Sequence, residues 1–264
     1  MDIVVVTGST RGIGLGLAEA FLQRGSAVVV NGRNEEAVQK AVEDLSGRHA
    51  AERIMGKSAD VKDYMQVESL WEAAKARFGR IDVWVNNAGV AHELSPFWDH
   101  PQQRIRAVVE TNVIGTMNGS AIALREMHKQ GFGRLYNVEG FGSSGGRMVR
   151  GLAIYGSTKA ATHFLNQALM DEVSGTSLIV GAVQPGMVVT DLLTDQFKDR
   201  PEDWEKMKRV MSLFASRVEA VAPELARKML QNRRNGVSIR SGGMGRILRR
   251  LAAAPFRRRQ QGDG

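Results

Sequence analysis

Tyr155 and Lys159 are the pair with the clearest chemistry in this 264-residue chain. Within Tyr155-Gly156-Ser157-Thr158-Lys159 they stand four apart, and on a helix that spacing puts both side chains on one face. An ammonium beside a phenol favours phenolate and lowers the tyrosine pKa from its ordinary value near ~10. A tyrosine so placed can give a proton to a carbonyl oxygen as hydride reaches the carbon, or take it back in reverse. A second group of residues binds rather than reacts. Thr7-Gly8-Ser9-Thr10-Arg11-Gly12-Ile13-Gly14 follows the apolar run Ile3–Val6 and precedes the helix-like stretch Leu15–Leu22. Strand, glycine turn and helix start together offer unpaired N–H groups to a dinucleotide pyrophosphate, and glycines let the backbone come close. The spacing is G-x-x-x-G-x-G, one residue longer between the first two glycines than the commoner G-x-G-x-x-G. A lone YxxxK or a lone glycine turn arises by chance. Here both occur with Asn86-Asn87-Ala88-Gly89 and Pro185-Gly186, each closing an apolar run.

The elements that must position these residues alternate regularly. After Ile3–Val6, short β-branched runs predict strands at Ala27–Asn31, Arg53–Ala59, Ile81–Val85, Arg134–Val138, Ser177–Val183 and Val237–Arg240. Amphipathic stretches predict helices over Glu35–Leu45, Tyr64–Phe78, Gln102–Lys129, Ala153–Val173 and Pro223–Asn232. The alternation predicts an α/β Rossmann fold, a doubly wound parallel sheet in one domain over residues 1–240. In such sheets ligands bind beyond the carboxyl ends of the strands, where each segment above falls. Residues 187–217 break the pattern, with Met187, Leu192, Phe197, Trp204, Met211 and Phe214 set among charges. They read as a helical substrate lid over the sheet, or as a surface helix pair.

Composition bounds the rest. With 43% hydrophobic residues the chain can bury a substantial core, and with no cysteine it has no disulfide framework, thiolate nucleophile or zinc–sulfur site. Asp2 follows Met1 and the first strand begins at once, so no signal peptide is expected, and no apolar run approaches the roughly 18 residues that span a bilayer. A cytoplasmic location is the expectation. From Arg233 to the C-terminus there are nine arginines and one acid, so this tail accounts for the whole net charge of +8. The body is neutral, which argues against reading the domain as a specific nucleic-acid binder. Within the tail, residues 241–264, Ile247, Leu248, Leu251 and Ala254 recur at helical spacing between arginines, with Pro255 ending the run. That is the pattern of a basic helix lying on an anionic surface, such as a peripheral membrane contact; the other reading is a disordered tail with general polyanion affinity. The five histidines lack metal-ligand spacing, so no metal site is expected. Trp71, Trp84 and Trp98 are expected in the core or at its edges.

Taken together, Thr7-Gly8-x-x-x-Gly12-Ile13-Gly14, Asp60-Val61, Asn86-Asn87-Ala88-Gly89, Asn112, Tyr155-x-x-x-Lys159 and Pro185-Gly186 resemble the short-chain dehydrogenase/reductase family, from Ile3 to about Arg240. The resemblance implies that Tyr155 is the acid/base and that Lys159 binds the nicotinamide ribose and lowers the tyrosine pKa. It implies that Asn112 holds a water in the proton relay. Gly8, Ser9, Thr10, Arg11, Gly12, Ile13, Gly14, Arg33, Asp60, Val61, Asn87, Ala88, Gly89, Pro185, Gly186, Val188 and Thr190 would contact cofactor. It also implies a homodimer or homotetramer. One departure stands out. The family carries Asn-x-Ser-Ser at the end of the fifth strand; this chain has Asn137-Val138-Glu139-Gly140 and then Phe141-Gly142-Ser143-Ser144. A loop this rich in glycine can bring a nearby hydroxyl into place. Ser143 is the expected hydroxyl, Ser144 the alternative, and a site without an assisting serine the third reading, which would leave a weak or inactive NADP-binding protein. The string Tyr136–Ser143, with Pro185-Gly186-Met187-Val188-Val189-Thr190-Asp191-Leu192-Leu193, resembles the chlorophyll b reductase branch, with Glu139 and Phe141 in place of its Asp and Ala. That branch implies reduction of the formyl group of chlorophyll(ide) b to hydroxymethyl; another aldehyde or ketone, oxoacyl or steroid-like, is the alternative substrate.

An acidic residue at the end of the second strand would bind the ribose hydroxyls of NAD. This chain has Asn31-Gly32-Arg33-Asn34 there. Arg33 and Arg11 can bracket a 2′-phosphate with guanidinium forks, so the cofactor expected is NADP(H) and the working direction carbonyl reduction.

Overall fold

A computed structural model describes residues 1–143, 149–190 and 215–242. Ser144, the body of the expected lid from 191 to 214, and the basic tail from 243 onward lie outside the described residues. Seven strands form one sheet: β1 (Ile3–Val6), β2 (Ala27–Gly32), β3 (Ile54–Ser58), β4 (Val83–Asn86), β5 (Gly133–Val138), β6 (Leu178–Gln184) and β7 (Val237–Arg240). The order is β3-β2-β1-β4-β5-β6-β7, and every pairing is parallel. The direction of winding reverses between β1 and β4, which opens a crevice at their carboxyl ends.

The β-branched runs make strands because both of their faces are covered. Along β1 the side chains alternate: Val4 and Val6 pack with α1 (Gly12–Leu22) on one side, and Val5 packs with Trp71 and Trp84 on the other. The first face is closed by α1, α2 (Glu35–Ser46) and α7 (Val218–Gln231). The second is covered by α3 (Tyr64–Phe78) and α5 (Gly115–Gln130). Gly16 lets α1 and α7 touch, since a Cβ there would run into Val218. α2 starts at the Asn34 side chain, which accepts the Ala37 N–H at 2.7 Å, and α3 starts at Asp63, which accepts from Met65 and Gln66.

Three sequence expectations need correction. The single helix expected over Gln102–Lys129 is α4 (Gln102–Val109), a π-turn over Glu110–Ile114, and α5. Its apolar period is continuous, but the buried Asn112 side chain bonds away from the helix, and an extra residue is accommodated there. The helix expected to begin at Pro223 begins five residues earlier at Val218. Proline reads as a helix start because it lacks an N–H; here burial of Val221 and Ala222 carries the helix through it. Trp71 and Trp84 are buried as expected, but Trp98 is 81% exposed, on the loop after β4.

Candidate active site

The glycine turn between β1 and α1 forms one wall of a cleft of about 600 Å³ at the carboxyl edge of the sheet. Gly8 and Gly12 adopt positive φ, at 62° and 58°, where side-chain-bearing residues are strained. A Cβ on Gly8 would also lie 2.7 Å from the Ala88 Cα, and one on Gly14 would run into the Gly8 carbonyl. The turn is tied down from the β4 side: Asn87 Nδ2 donates to the carbonyls of Thr7 and Gly8, at 2.9 and 3.0 Å, and Thr7 Oγ1 accepts from the N–H groups of Asn87 and Ala88.

Gly8, Thr10, Arg11, Gly12, Ile13 and Gly14 line this wall, as the sequence predicts. Ser9 does not. It is fully buried; its hydroxyl donates to the Val6 carbonyl at 2.7 Å and accepts the Asn31 N–H at 2.9 Å, and its own N–H goes to the Asn31 carbonyl. Ser9 therefore stitches the turn to β2 rather than facing a ligand. The second wall holds Arg33, Asp60 and Val61, so two guanidinium-bearing residues, Arg11 and Arg33, border the same cleft. No carboxylate stands at the end of β2, where Asn31 spends its amide on the carbonyls of Lys57 and Ala59. Asn87, Ala88, Gly89, Pro185, Gly186, Val188 and Thr190 complete the lining. Val188 pairs with Ser216 in a parallel bridge, so both ends of the segment from 187 to 217 are pinned beside the cleft.

At the far end, Tyr155 and Lys159 face the cleft from the first turns of α6 (Ala153–Glu172). Lys159 Nζ donates to the Val138 carbonyl at 3.0 Å and lies 5.8 Å from the centre of the Tyr155 ring. The structure reverses the expected effect of the pair on the phenol. Burial penalises the charged form of each group, so Tyr155 is pushed up to about 12 and Lys159 down to about 8, the latter held partly up by the Glu139 carboxylate. At neutral pH Tyr155 is a protonated phenol and Lys159 is mainly an ammonium, which is the state a proton donor requires. A Cβ on Gly140 would lie 2.5 Å from the Tyr155 hydroxyl. The space into which a side chain at that position would project is taken by the phenol itself.

Ser143 lines the cleft and is buried; its hydroxyl donates to the Gly140 carbonyl at 2.8 Å and accepts the Gly140 N–H at 3.0 Å. Asn112 does not line the cleft. Its amide oxygen accepts the Val90 N–H, and its nitrogen donates to the Val90 carbonyl and to Thr158 Oγ1, which in turn donates to the Tyr155 carbonyl. Its side chain thus braces the loop after β4 against α6. Two supporting residues were not among those the sequence assigned to the site. Buried His92 accepts the Tyr155 N–H on Nε2 at 3.1 Å, while its Nδ1 meets the Glu93 carbonyl at 2.8 Å; it caps a helix start that has no capping side chain of its own. Glu139 is buried among Asn166, His163 and Gln184.

Comparison with known proteins agrees with this geometry. A family model for short chain dehydrogenase matches residues 2–201. A probable chloroplastic chlorophyll(ide) b reductase of Oryza sativa subsp. japonica is 33% identical over 97% of this chain, and a second chlorophyll(ide) b reductase of that plant is 36% identical over 72%. The chain spans about half the length of these relatives, 52% and 57%. A 3alpha-hydroxysteroid dehydrogenase of Mediterraneibacter gnavus is 33% identical over 72% of the chain and 75% of its own length. Among solved structures, an actinorhodin polyketide ketoreductase with NADPH superposes with a TM-score of 0.81 at 26% identity, covering 92% of this chain and 97% of that one. A gluconate 5-dehydrogenase of Burkholderia cenocepacia with NADP and tartrate gives 0.76 at 25% identity, covering 92% and 94%.

Proposed function

Because the chain belongs to the short-chain dehydrogenase family, we propose that it is an NADPH-dependent reductase of a bulky apolar carbonyl compound. The observation that carries this reading is a neutral phenol, Tyr155, facing a cleft whose opposite end is a glycine turn flanked by Arg11 and Arg33. Bound NADPH would supply the hydride. The residues fit that cofactor: the turn's glycines admit a pyrophosphate, and the arginines suit a 2′-phosphate where a carboxylate would repel it. Tyr155 gives its proton to the carbonyl oxygen, Lys159 holds positive charge beside the developing phenolate, and the Ser143 hydroxyl, which lines the cleft, would turn from the Gly140 carbonyl to the substrate oxygen.

The substrate end supports an apolar partner. Leu94 and Leu152 line it, and Phe141, Val149 and Met187 stand at its mouth, 45%, 41% and 39% exposed. A chlorophyll(ide) b formyl group is the favoured substrate, on the identity to the plant reductases. A steroid-like ketone is the second reading, supported by the hydroxysteroid dehydrogenase relative and the same apolar rim. Exposed Ile114, Met117 and Phe164 on neighbouring helices would bury against another copy in a homo-oligomer. The arginine-rich tail would hold the enzyme to an anionic membrane surface, although no helix among the described residues is long and apolar enough to cross one.

The test compares NADPH with NADH on the intact protein and on Arg33→Ala. Losing one charge-assisted phosphate contact, worth ~1.5–3 kcal/mol, should raise KM for NADPH roughly ten- to a hundredfold and leave NADH unchanged. Equal losses for both cofactors would refute the 2′-phosphate assignment.

A further inference from the structure

The loop after β4 lines the cleft at Val90 and again at Leu94, and between them His92 is buried. Its Nε2 receives the Tyr155 N–H at 3.1 Å. A backbone N–H can only donate, so Nε2 must present its lone pair. The proton of the neutral ring then sits on Nδ1, 2.8 Å from the Glu93 carbonyl, which accepts it. Both ring nitrogens are thereby spent, and one tautomer is selected. α6 needs this bond, because the N–H groups of a first helical turn find no partner within the helix and Leu152, at its N-cap, gives no side-chain hydrogen bond. The same residue carries the reacting group. The Tyr155 backbone is held at its N–H by His92 and at its carbonyl by Thr158 Oγ1, which donates at 2.7 Å, while its hydroxyl fills the space beside Gly140. A tilt of this first turn therefore moves the phenol.

We propose that His92 is a positioning residue for the reaction: by accepting the Tyr155 N–H it fixes the first turn of α6 and sets where the phenol stands, and it does so only as the neutral imidazole. Protonation places a second N–H on Nε2, donor then faces donor, and the bond is lost. The surroundings keep the ring neutral. Burial opposes the imidazolium most strongly, against the Glu93 carbonyl, which favours it. Within the loop, His100 stands edge-on with ring centres 4.6 Å apart and opposes a charge on His92, whereas the Glu93 carboxylate supports one. From α4, Arg104 opposes it and pairs with that carboxylate at 2.6 Å. α6 brings Tyr155, whose phenol is neutral at these pH values. The pKa of His92 therefore lies below its ordinary 6.5, and the neutral form holds Tyr155 above that pKa. Reduction should lose rate as pH falls through the acid range, a limb separate from the alkaline one set by Lys159.

This inference rests on the carbonyl-reductase reading, so its experiment has two readouts. The first needs no cofactor. The chain has three tyrosines, so 15N-tyrosine labelling separates the Tyr155 amide from those of Tyr64 and Tyr136 in NMR spectra. His92→Leu should speed solvent exchange of the Tyr155 amide about tenfold or more relative to Tyr136 in β5. In His92→Gln, whose side-chain oxygen can accept the same N–H and takes up no proton, the amide should be protected again. The second readout is turnover of a bulky apolar aldehyde with NADPH from about pH 5 to 8. His92→Leu should lower kcat about tenfold at every pH with KM for NADPH unchanged, less than the ~10² of a reacting group displaced by a full ångström. His92→Gln should restore most of that kcat at neutral pH and abolish the acid limb. Tyr155 exchange unchanged in His92→Leu, a kcat loss that glutamine leaves in place, or an acid limb that persists in His92→Gln would overturn the proposal. Tyr155 exchange that depends on His92 in a protein that reduces no carbonyl would keep the tether and refute the reductase reading instead.

Discussion

Gly140→Ala isolates the position of the proton that Tyr155 is proposed to deliver. Gly140 has an ordinary backbone conformation, outside the positive-φ glycines, so alanine costs nothing in the turn itself. The difficulty is the Tyr155 hydroxyl, 2.5 Å from where the new Cβ would stand, about 0.9 Å inside the 3.4 Å at which ordinary contact begins. Lys159 Cε and Cδ, at 3.3 and 3.4 Å, leave no slack on the other side. Tyr155 must therefore swing by close to 1 Å, and a displacement of that size in a reacting group costs on the order of 10²-fold in rate. Overpacking this half-buried site by one methyl costs ~1–3 kcal/mol of stability, which a domain of this size tolerates as a fall of a few degrees in Tm. NADPH binding, set at the glycine-turn end of the cleft, should be unchanged. Steady-state kcat, a fluorescence titration with NADPH and a thermal melt read the three quantities. A folded, NADPH-binding Gly140→Ala protein with kcat within about threefold of the parent would refute the claim that the hydroxyl acts from this place.

Further outcomes follow from the same geometry. Lys159→Met removes an ammonium whose burial holds its pKa near 8 instead of 10.5, a cost of about 3 kcal/mol partly offset by the bond to Val138; thermal melts should show a Tm a few degrees higher while kcat falls by 10² or more. Reduction should hold a plateau near neutrality and decline as pH rises through about 8, where Lys159 loses its proton, whereas alcohol oxidation should gain with pH towards the Tyr155 value of about 12; rate profiles in both directions check this. His92 must be neutral to accept the Tyr155 N–H, and burial holds its pKa below 6.5. The unfolded chain therefore takes up that proton first, and stability should fall as pH drops below ~6.5; denaturant melts should show a shallower fall in His92→Gln. Ser143→Ala should cost at least ~10-fold in kcat, since its hydroxyl lines the cleft at the 140–143 turn, and Ser144→Ala should cost little; steady-state kinetics on both variants check this.

Much of this was legible in the sequence for reasons of burial. Strands covered on both faces must be β-branched and continuous, so all seven runs were readable, and the glycine turn announced itself because side chains at Gly8 and Gly14 have nowhere to go. The YxxxK spacing placed two side chains on one helix face without reference to any partner. What escaped depends on contacts distant in sequence. The Ser9 hydroxyl turns inward because the Asn31 N–H at the end of β2 waits there, 22 residues away. His92 caps α6 across 63 residues, and no local pattern links a lone histidine to that N–H. The phenol pKa went the wrong way because residue spacing reports the neighbouring charge but not the loss of water, and here loss of water dominates. In the sequence Glu139 stood only as the counterpart of an Asp in the chlorophyll b reductase branch; its partners His163, Asn166 and Gln184 meet it only in the fold.

In the proposed reaction Tyr155 delivers the proton while NADPH reduces a carbonyl in this cleft. It is tested most directly by NADPH oxidation against a panel of aldehydes and ketones that includes chlorophyllide b, run in parallel on the parent protein and on Tyr155→Phe. The parent should turn over at least one bulky apolar carbonyl, and Tyr155→Phe should lose ~10² or more in kcat with NADPH affinity retained. NADPH binding without turnover of any carbonyl, or a Tyr155→Phe protein as fast as the parent, would contradict it.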